Sequence, residues 1–198
     1  MSSSISCSTF SHSAPENIWR GVQELFVESF SSAPYSEDST ELSKILEWGP
    51  EHLRQGCGRL VVAKLGEQIA GFALGNALSG NSSWWLILSR LAGASAEAAW
   101  ALEHQEEALI VHELAVRQSE QGNGIAKICM AALLEGRPES QTFIGVYDRA
   151  LDAASMYRHW QLTHIGQVPI QNGAVNLNVL NVKTAELAAR TKLRTPNP

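Results

Sequence analysis

The chain has 198 residues and a mass of 21.5 kDa; 44% of its residues are hydrophobic and 18% charged, and its formal net charge is -5. Such a composition can bury one substantial core, near the size of one large domain, and is not that of a disordered chain. The acidic balance argues against a general nucleic-acid binder, which needs concentrated Lys and Arg, and no apolar run approaches the roughly 20 residues of a membrane helix.

Met1 to Phe10 is Ser-rich and lacks the basic region and apolar core of a secretion signal. Cys7, Cys57 and Cys129 are widely spaced and odd in number, so they predict neither a disulfide framework nor a metal cluster. A reducing cytoplasm is the expected compartment. Ile5 to Phe10 reads as a weak strand. Ser13 or Ala14, Pro15 and Glu16 then open a helix whose apolar stripe is Ile18, Trp19, Val22, Leu25, Phe26 and Phe30. Ser31 to Ser39 reads as a loop, and Thr40 to Leu53 as a helical pattern that Gly49-Pro50 is expected to break in two. Leu60 to Leu65 and Ile69 to Leu74 flank Gly66-Glu67-Gln68 as a strand pair with a tight turn.

Residues 76–107 form a long connection that needs structure of its own. Asn81-Ser82-Ser83 precedes Trp84-Trp85, and Gly93 to Ser95 precedes a helix-compatible Ala96 to Ala108. Trp84, Trp85 and Trp100 fit two roles equally: a lid and acceptor-pocket wall, or extra packing and an oligomer surface. Leu109 to Val116 is the next strand and Ile125 to Gly136 the next helix. Phe143 to Tyr147 reads as a strand, Leu151 to Trp160 as a helix and Thr163 to Val168 as a strand. Pro169 to Ala174 is a turn, and Val175 to Val182 alternates with a clear period of two. The last residues form a short helical tail or fray.

The most informative stretch is Gln121-Gly122-Asn123-Gly124-Ile125-Ala126, between the Leu109–Val116 strand and the following helix. A glycine-punctuated turn entering a helix frees consecutive N–H groups and adds the helix dipole, which suits an anion. Gly122 and Gly124 allow tight turning and close ligand approach. The stretch has neither the three spaced glycines of a dinucleotide fingerprint nor the Gly-Lys-Ser/Thr of a P-loop. It is a pyrophosphate cradle or a β-to-α connection with no ligand. Lys127, Arg117 and Arg137 could add local positive charge.

With Leu114-Ala115-Val116-Arg117 before it, this stretch resembles the GCN5-related N-acetyltransferases (the GNAT superfamily). That family's pattern is Gln or Arg, two residues, Gly, one residue, then Gly or Ala, and Gln121, Gly124 and Ala126 occupy it. The resemblance continues through the 125–134 helix to Ala153 and Tyr157. It implies an α/β fold (α+β in some schemes): a mostly antiparallel mixed sheet of six to seven strands with a central splay, flanked by about four helices. One such domain would span 1–198, with 76–107 as a structured insertion.

The resemblance also implies acetyl-CoA as cofactor, its pyrophosphate on the backbone of residues 121–126 with Lys127 beside them. Its pantetheine arm would lie along Leu114, Ala115 and Val116, and the small Ala153 would leave it room. Tyr157 matches the family's general acid. His112 stands where some members carry a histidine base. Glu113 is a second candidate, expected on the opposite side of a regular strand unless a bulge turns it. His52, His104, His159 and His164 read as ordinary polar residues, and Cys129 as a small core residue. Three positions depart from the family: Gln161-Leu162 replaces a common Gly-Phe pair, and Ala150 a common asparagine. The expected activity is acetyl transfer to a primary amine of a small molecule or peptide, with no nucleic-acid or membrane partner. The alternative is a non-catalytic acetyl-CoA-sensing or protein-interaction domain. The insertion and final strand offer surfaces for a homodimer.

Overall fold

The structure, a computed structural model, describes residues 4–78 and 83–192, apart from the side chain at position 172. Of the stretch expected before Trp84, Asn81 and Ser82 lie outside the described residues. Seven strands form one sheet: β1 (Ile5–Ser11), β2 (Arg59–Leu65), β3 (Gln68–Ala77), β4 (Ala108–Val116), β5 (Gln141–Tyr147), β6 (Thr163–Ile170) and β7 (Val175–Lys183). Their spatial order is β1-β2-β3-β4-β5-β7-β6. Among the described residues β4 and β5 are the only parallel neighbours, and every other pair is antiparallel.

Among the described residues eight α-helices surround the sheet: α1 (Glu16–Phe30), α2 (Ser39–Ser43), α3 (Ile45–Arg54), α4 (Ser83–Leu91), α5 (Ala96–Glu103), α6 (Ile125–Leu134), α7 (Leu151–His159) and α8 (Thr184–Thr191). The excess over the expected four comes from short pieces, including the pair α4 and α5 inside the 76–107 connection. Ser95 caps α5, its Oγ accepting from Ala98 N at 3.2 Å. Among the described residues no helix is long and apolar enough to cross a membrane.

The chain does not break at Gly49-Pro50. The division falls at Lys44, and α3 runs through Pro50. Gly49 serves packing instead: a Cβ there would stand 2.6 Å from Trp19 Cζ3, so its absence lets α1 and α3 close on each other. Pro169 lies in β6 rather than in a turn, which an edge strand tolerates because one side of it needs no ladder bonds.

The alternation of side chains along the strands feeds a different core on each face. On one face Leu60, Val62, Phe72 and Leu74 meet Ile18, Trp19, Val22, Leu25 and Phe26 of α1 and Ile45 and Leu53 of α3. Further along that face, Ala108, Ile110, Phe143 and Val179 pack under α4 and α5. On the other, Val61, Ala73, Leu109 and Val111 pack against α6, with Tyr157 and Trp160 of α7 and Leu187 of α8.

The break in this regular sheet positions the site. The β4–β5 ladder holds only from Ala108↔Gln141 to Val111↔Ile144. Beyond it β4 runs on to Val116 and β5 to Tyr147 without pairing. The edge of β4 that faces the gap is therefore open to another hydrogen-bonding group.

Candidate functional site

The turn leaving β4 is a row of uncommitted main-chain donors. Arg117 N donates to Ala70 O at 2.8 Å, Glu120 N to Arg117 O at 2.8 Å and Gln121 N to Gln118 O at 3.3 Å. From Gly122 to Lys127, no amide donates a hydrogen bond among the described residues; donation resumes with Ile128 N to Gly124 O at 3.0 Å. Gly122 and Gly124 adopt φ of 80° and 78°, left-handed values open to glycine at little cost. A Cβ at either position would meet nothing within 4 Å, so the space above these amides is open. Gln121 Nε2 reaches back to Val116 O at 3.4 Å and ties the loop to the strand end. The α6 N-terminus adds its dipole to the same point.

A cavity of about 1050 Å³ runs from these amides past residues 114–116 into the gap beside β4, bounded across by Ala153 and Met156. Lys127, Arg149 and Arg190 also line it, with Glu28, Glu120 and Asp152 among the acidic groups. All the predicted cofactor-binding residues line this cavity except Asn123. Arg190, on α8, was not expected; it donates to Trp160 O and Gln161 O at 3.3 Å and to the Glu186 carboxylate at 2.8 Å. Its distance in sequence from the glycine loop hid it.

At the gap β4 carries a bulge. Leu74 pairs with Glu113 and Gly75 with Val111, which leaves His112 as the extra residue. Glu113 shares a sheet face with its partner Leu74, which packs on α1 and α3. His112 turns to the same side, where its ring meets that of His52 on α3 at 4.3 Å and its Nε2 lies 2.5 Å from Asn76 Oδ1. The bulge thus brings both candidate bases to one face. Burial, with His52 as a second cause, holds His112 well below the usual histidine range, so the ring is neutral at neutral pH. Burial first and Glu37 second raise Glu113 well above the usual carboxylate range.

The charge of Glu113 bears on three tyrosines. Tyr157 is 6% exposed, and burial, then Tyr35 and Glu113, push its phenol upward. Tyr35 and Tyr147 stand with ring centroids 5.6 Å apart, and burial raises both phenols, with carboxylate charges as further causes. Burial increases the affinity of the nearby Glu37 carboxylate for a proton, with Tyr147 and Arg149 acting against it. Arg149 donates to Tyr35 O and lies 5.7 Å from the Tyr147 ring centre. Tyr35, Glu37 and Tyr147 were not anticipated, because they come from a loop and a strand end far apart in sequence.

The insertion tryptophans lie elsewhere. Trp84 is 7% exposed and packs with Leu78, Leu88 and Val168 under α4; Trp85 packs at the margin of that cluster. Neither lines the cavity. Cys129 is fully buried, and burial pushes its thiol up to about 12, as suits a core residue and not a nucleophile.

A splayed mixed sheet with an open donor loop at the splay defines the acyl-transferase class of fold. The sequence model of the GNAT acetyltransferase family matches residues 19–159, and the chain belongs to that family. No curated protein matches the chain. Among solved structures it is similar to PH1933 from Pyrococcus horikoshii OT3, at 14% identity, TM-score 0.65 and coverage of 91% of this chain and 98% of that one. It is also similar to an N-acetyltransferase from Staphylococcus aureus Mu50, at 12% identity and TM-score 0.57, covering 92% and 99%. An acetyltransferase of the GNAT family from Bacillus cereus gives 8% identity and TM-score 0.58, covering 90% and 97%. At these identities the likeness is one of fold.

Proposed function

We propose that this chain is an N-acetyltransferase that moves acetyl from acetyl-CoA to a primary amine of a small molecule or peptide by direct attack. The observation that carries the reading is the run of uncommitted amides at residues 122–127, heading a cavity that leads to the splay. Those amides and the α6 N-terminus would hold the pyrophosphate, and the open edge at Leu114 to Val116 the pantetheine arm. Ala153, a small residue on α7, leaves the arm room. When bound, acetyl-CoA supplies the thioester carbon that the amine attacks and the thiolate that departs.

The chain's own groups manage the protons. A protonated amine has no lone pair, so its proton must be taken up before attack, and the bulge offers two groups, directly or through a water chain. His112, neutral in its buried setting, serves as that base, with Glu113 beside it. Tyr157, whose phenol burial keeps protonated, gives its proton to the departing sulfur. The Tyr35 and Tyr147 rings favour a cationic acceptor through their aromatic faces. The exposed cysteines Cys7 and Cys57 fit a reducing cytoplasm. A homodimer through the insertion belongs to the same reading, since Leu86 on α4 is 58% exposed.

Release of free coenzyme A across a panel of amines, with thermal stabilisation by acetyl-CoA measured in parallel, tests this function. Turnover with at least one primary amine is expected. Stabilisation without turnover across the panel would favour a coenzyme-sensing domain. Absence of both would reject the reading.

A further inference from the structure

Asn76 is a polar residue inside β3, 3% exposed, in a strand that from Ile69 on is otherwise built from small and apolar residues. A buried amide in such a place is costly unless each of its groups finds a partner. Its Nδ2 donates to the backbone carbonyl of His52 at 3.3 Å. A carbonyl can only accept, so this bond commits the amide's orientation and turns Oδ1 toward His112. Oδ1 is likewise an acceptor, and His112 Nε2 stands 2.5 Å from it. Nε2 must therefore carry the proton. In a neutral imidazole the lone pair then lies on Nδ1.

The second histidine is fixed in the same way. His52 Nδ1 lies 2.9 Å from Trp48 O, a group that only accepts, so that nitrogen carries a proton and the ring is anchored on α3. The two rings meet edge to face at 4.3 Å and 83°. The groups that act on His112 are thus His52 from α3 and Asn76 from β3, with Glu113 adjoining it on β4.

We infer that Asn76 is a positioning residue for the proton acceptor: it locks His112 as the Nε2–H tautomer, so that Nδ1 is the nitrogen that takes the proton from the acceptor amine. In that step an N–H bond of the ammonium breaks, its electron pair stays on the amine nitrogen, and an Nδ1–H bond forms. A ring in the other tautomer would offer an N–H where a lone pair is needed. The inference rests on the proposed acetyl transfer and adds to it the residue that makes the base competent.

The test joins a spectrum to a pH profile. Long-range ¹H–¹⁵N spectra of histidine-labelled protein, without ligand, are expected to show His112 as the Nε2–H tautomer in the wild type and as a mixture in Asn76→Ala. In kcat/KM, Asn76→Ala is expected to lose about 10-fold at every pH, because a mixture of tautomers forfeits only part of the roughly 100-fold or more that a positioned base contributes. Asn76→Asp keeps the accepting oxygen but adds a negative charge, so its acid limb is expected to move up by ~1 pH unit or more. Above that limb the Asp variant recovers to within about 2-fold of wild type, since the tautomer is retained. A purely structural role would lower both variants without moving the limb. An Nδ1–H tautomer in the wild type, or a wild-type profile in Asn76→Ala, would overturn the assignment. If Asn76→Ala fails to fold, the wild-type tautomer and the Asn76→Asp profile decide. A wild type that acetylates no amine would reject the acetyl-transfer reading, whereas an active wild type with unmoved profiles would reject the positioning role alone.

Discussion

Two regions beside the splay are made of different material. The glycine loop, residues 121–127, the donor end of the proposed site, presents main-chain amides held by two left-handed glycines and a helix start. The bulge region, the acceptor end of that proposal, presents side chains: His112 and Glu113, His52 from α3, Asn76 from β3, and tyrosines from a loop, a strand and a helix, of which Tyr35 lines the cavity. A main-chain site recognises what is common to every turnover and tolerates side-chain drift. A side-chain site can be retuned residue by residue, which is where acceptor choice can change without loss of the donor.

That contrast can be broken at either end. Gly124→Val should weaken coenzyme affinity by about 100-fold or more in titration calorimetry, since a β-branched residue opposes the left-handed backbone and its methyls enter the open space above the amides. Unaltered affinity in a folded variant would remove the loop from the site. Tyr157→Phe should keep coenzyme affinity and lower kcat by about 100-fold, as for a group acting mainly in the transition state. Equal turnover across pH would dismiss the acid role.

Glu113→Gln sharpens the acceptor side through stability. The folded protein raises the Glu113 carboxyl above its unfolded value, so this group's favourable contribution is present at low pH and is lost as pH rises through the folded value. The variant should therefore melt higher than wild type above the folded value, by about 2–4 °C for each kcal/mol in a chain of this size, and the gain should vanish at pH 4. A pH-independent difference would contradict the buried setting. Trp85→Ala should change kcat/KM by less than about 2-fold, because the residue lies beside the α4 core and not in the cavity. A larger change in KM for the amine would restore the insertion as a pocket wall.

The sequence made the donor end readable because its signal is local: Gly122 and Gly124 between an apolar strand and an amphipathic helix can be seen in six consecutive residues. Strand periods likewise gave most of the sheet. The acceptor end is not local. Asn76 and His112 are separated by 36 residues and meet only across β3 and β4. The one clue was a lone asparagine in an apolar strand, a residue that strands disfavour. The bulge at His112 has no marker in the residue string, so Glu113's face could not be read from alternation. Trp84 and Trp85 left two roles open in the sequence, because large aromatics serve cores as readily as pockets.

The account's central claim is that the amides of residues 122–127 receive the coenzyme's pyrophosphate. Titrating ¹⁵N-labelled protein with coenzyme A and following each amide resonance tests it most directly. The largest shifts should fall on Gly122 to Lys127, with smaller ones along Leu114 to Val116. Saturable binding that left those resonances in place and moved others would contradict it.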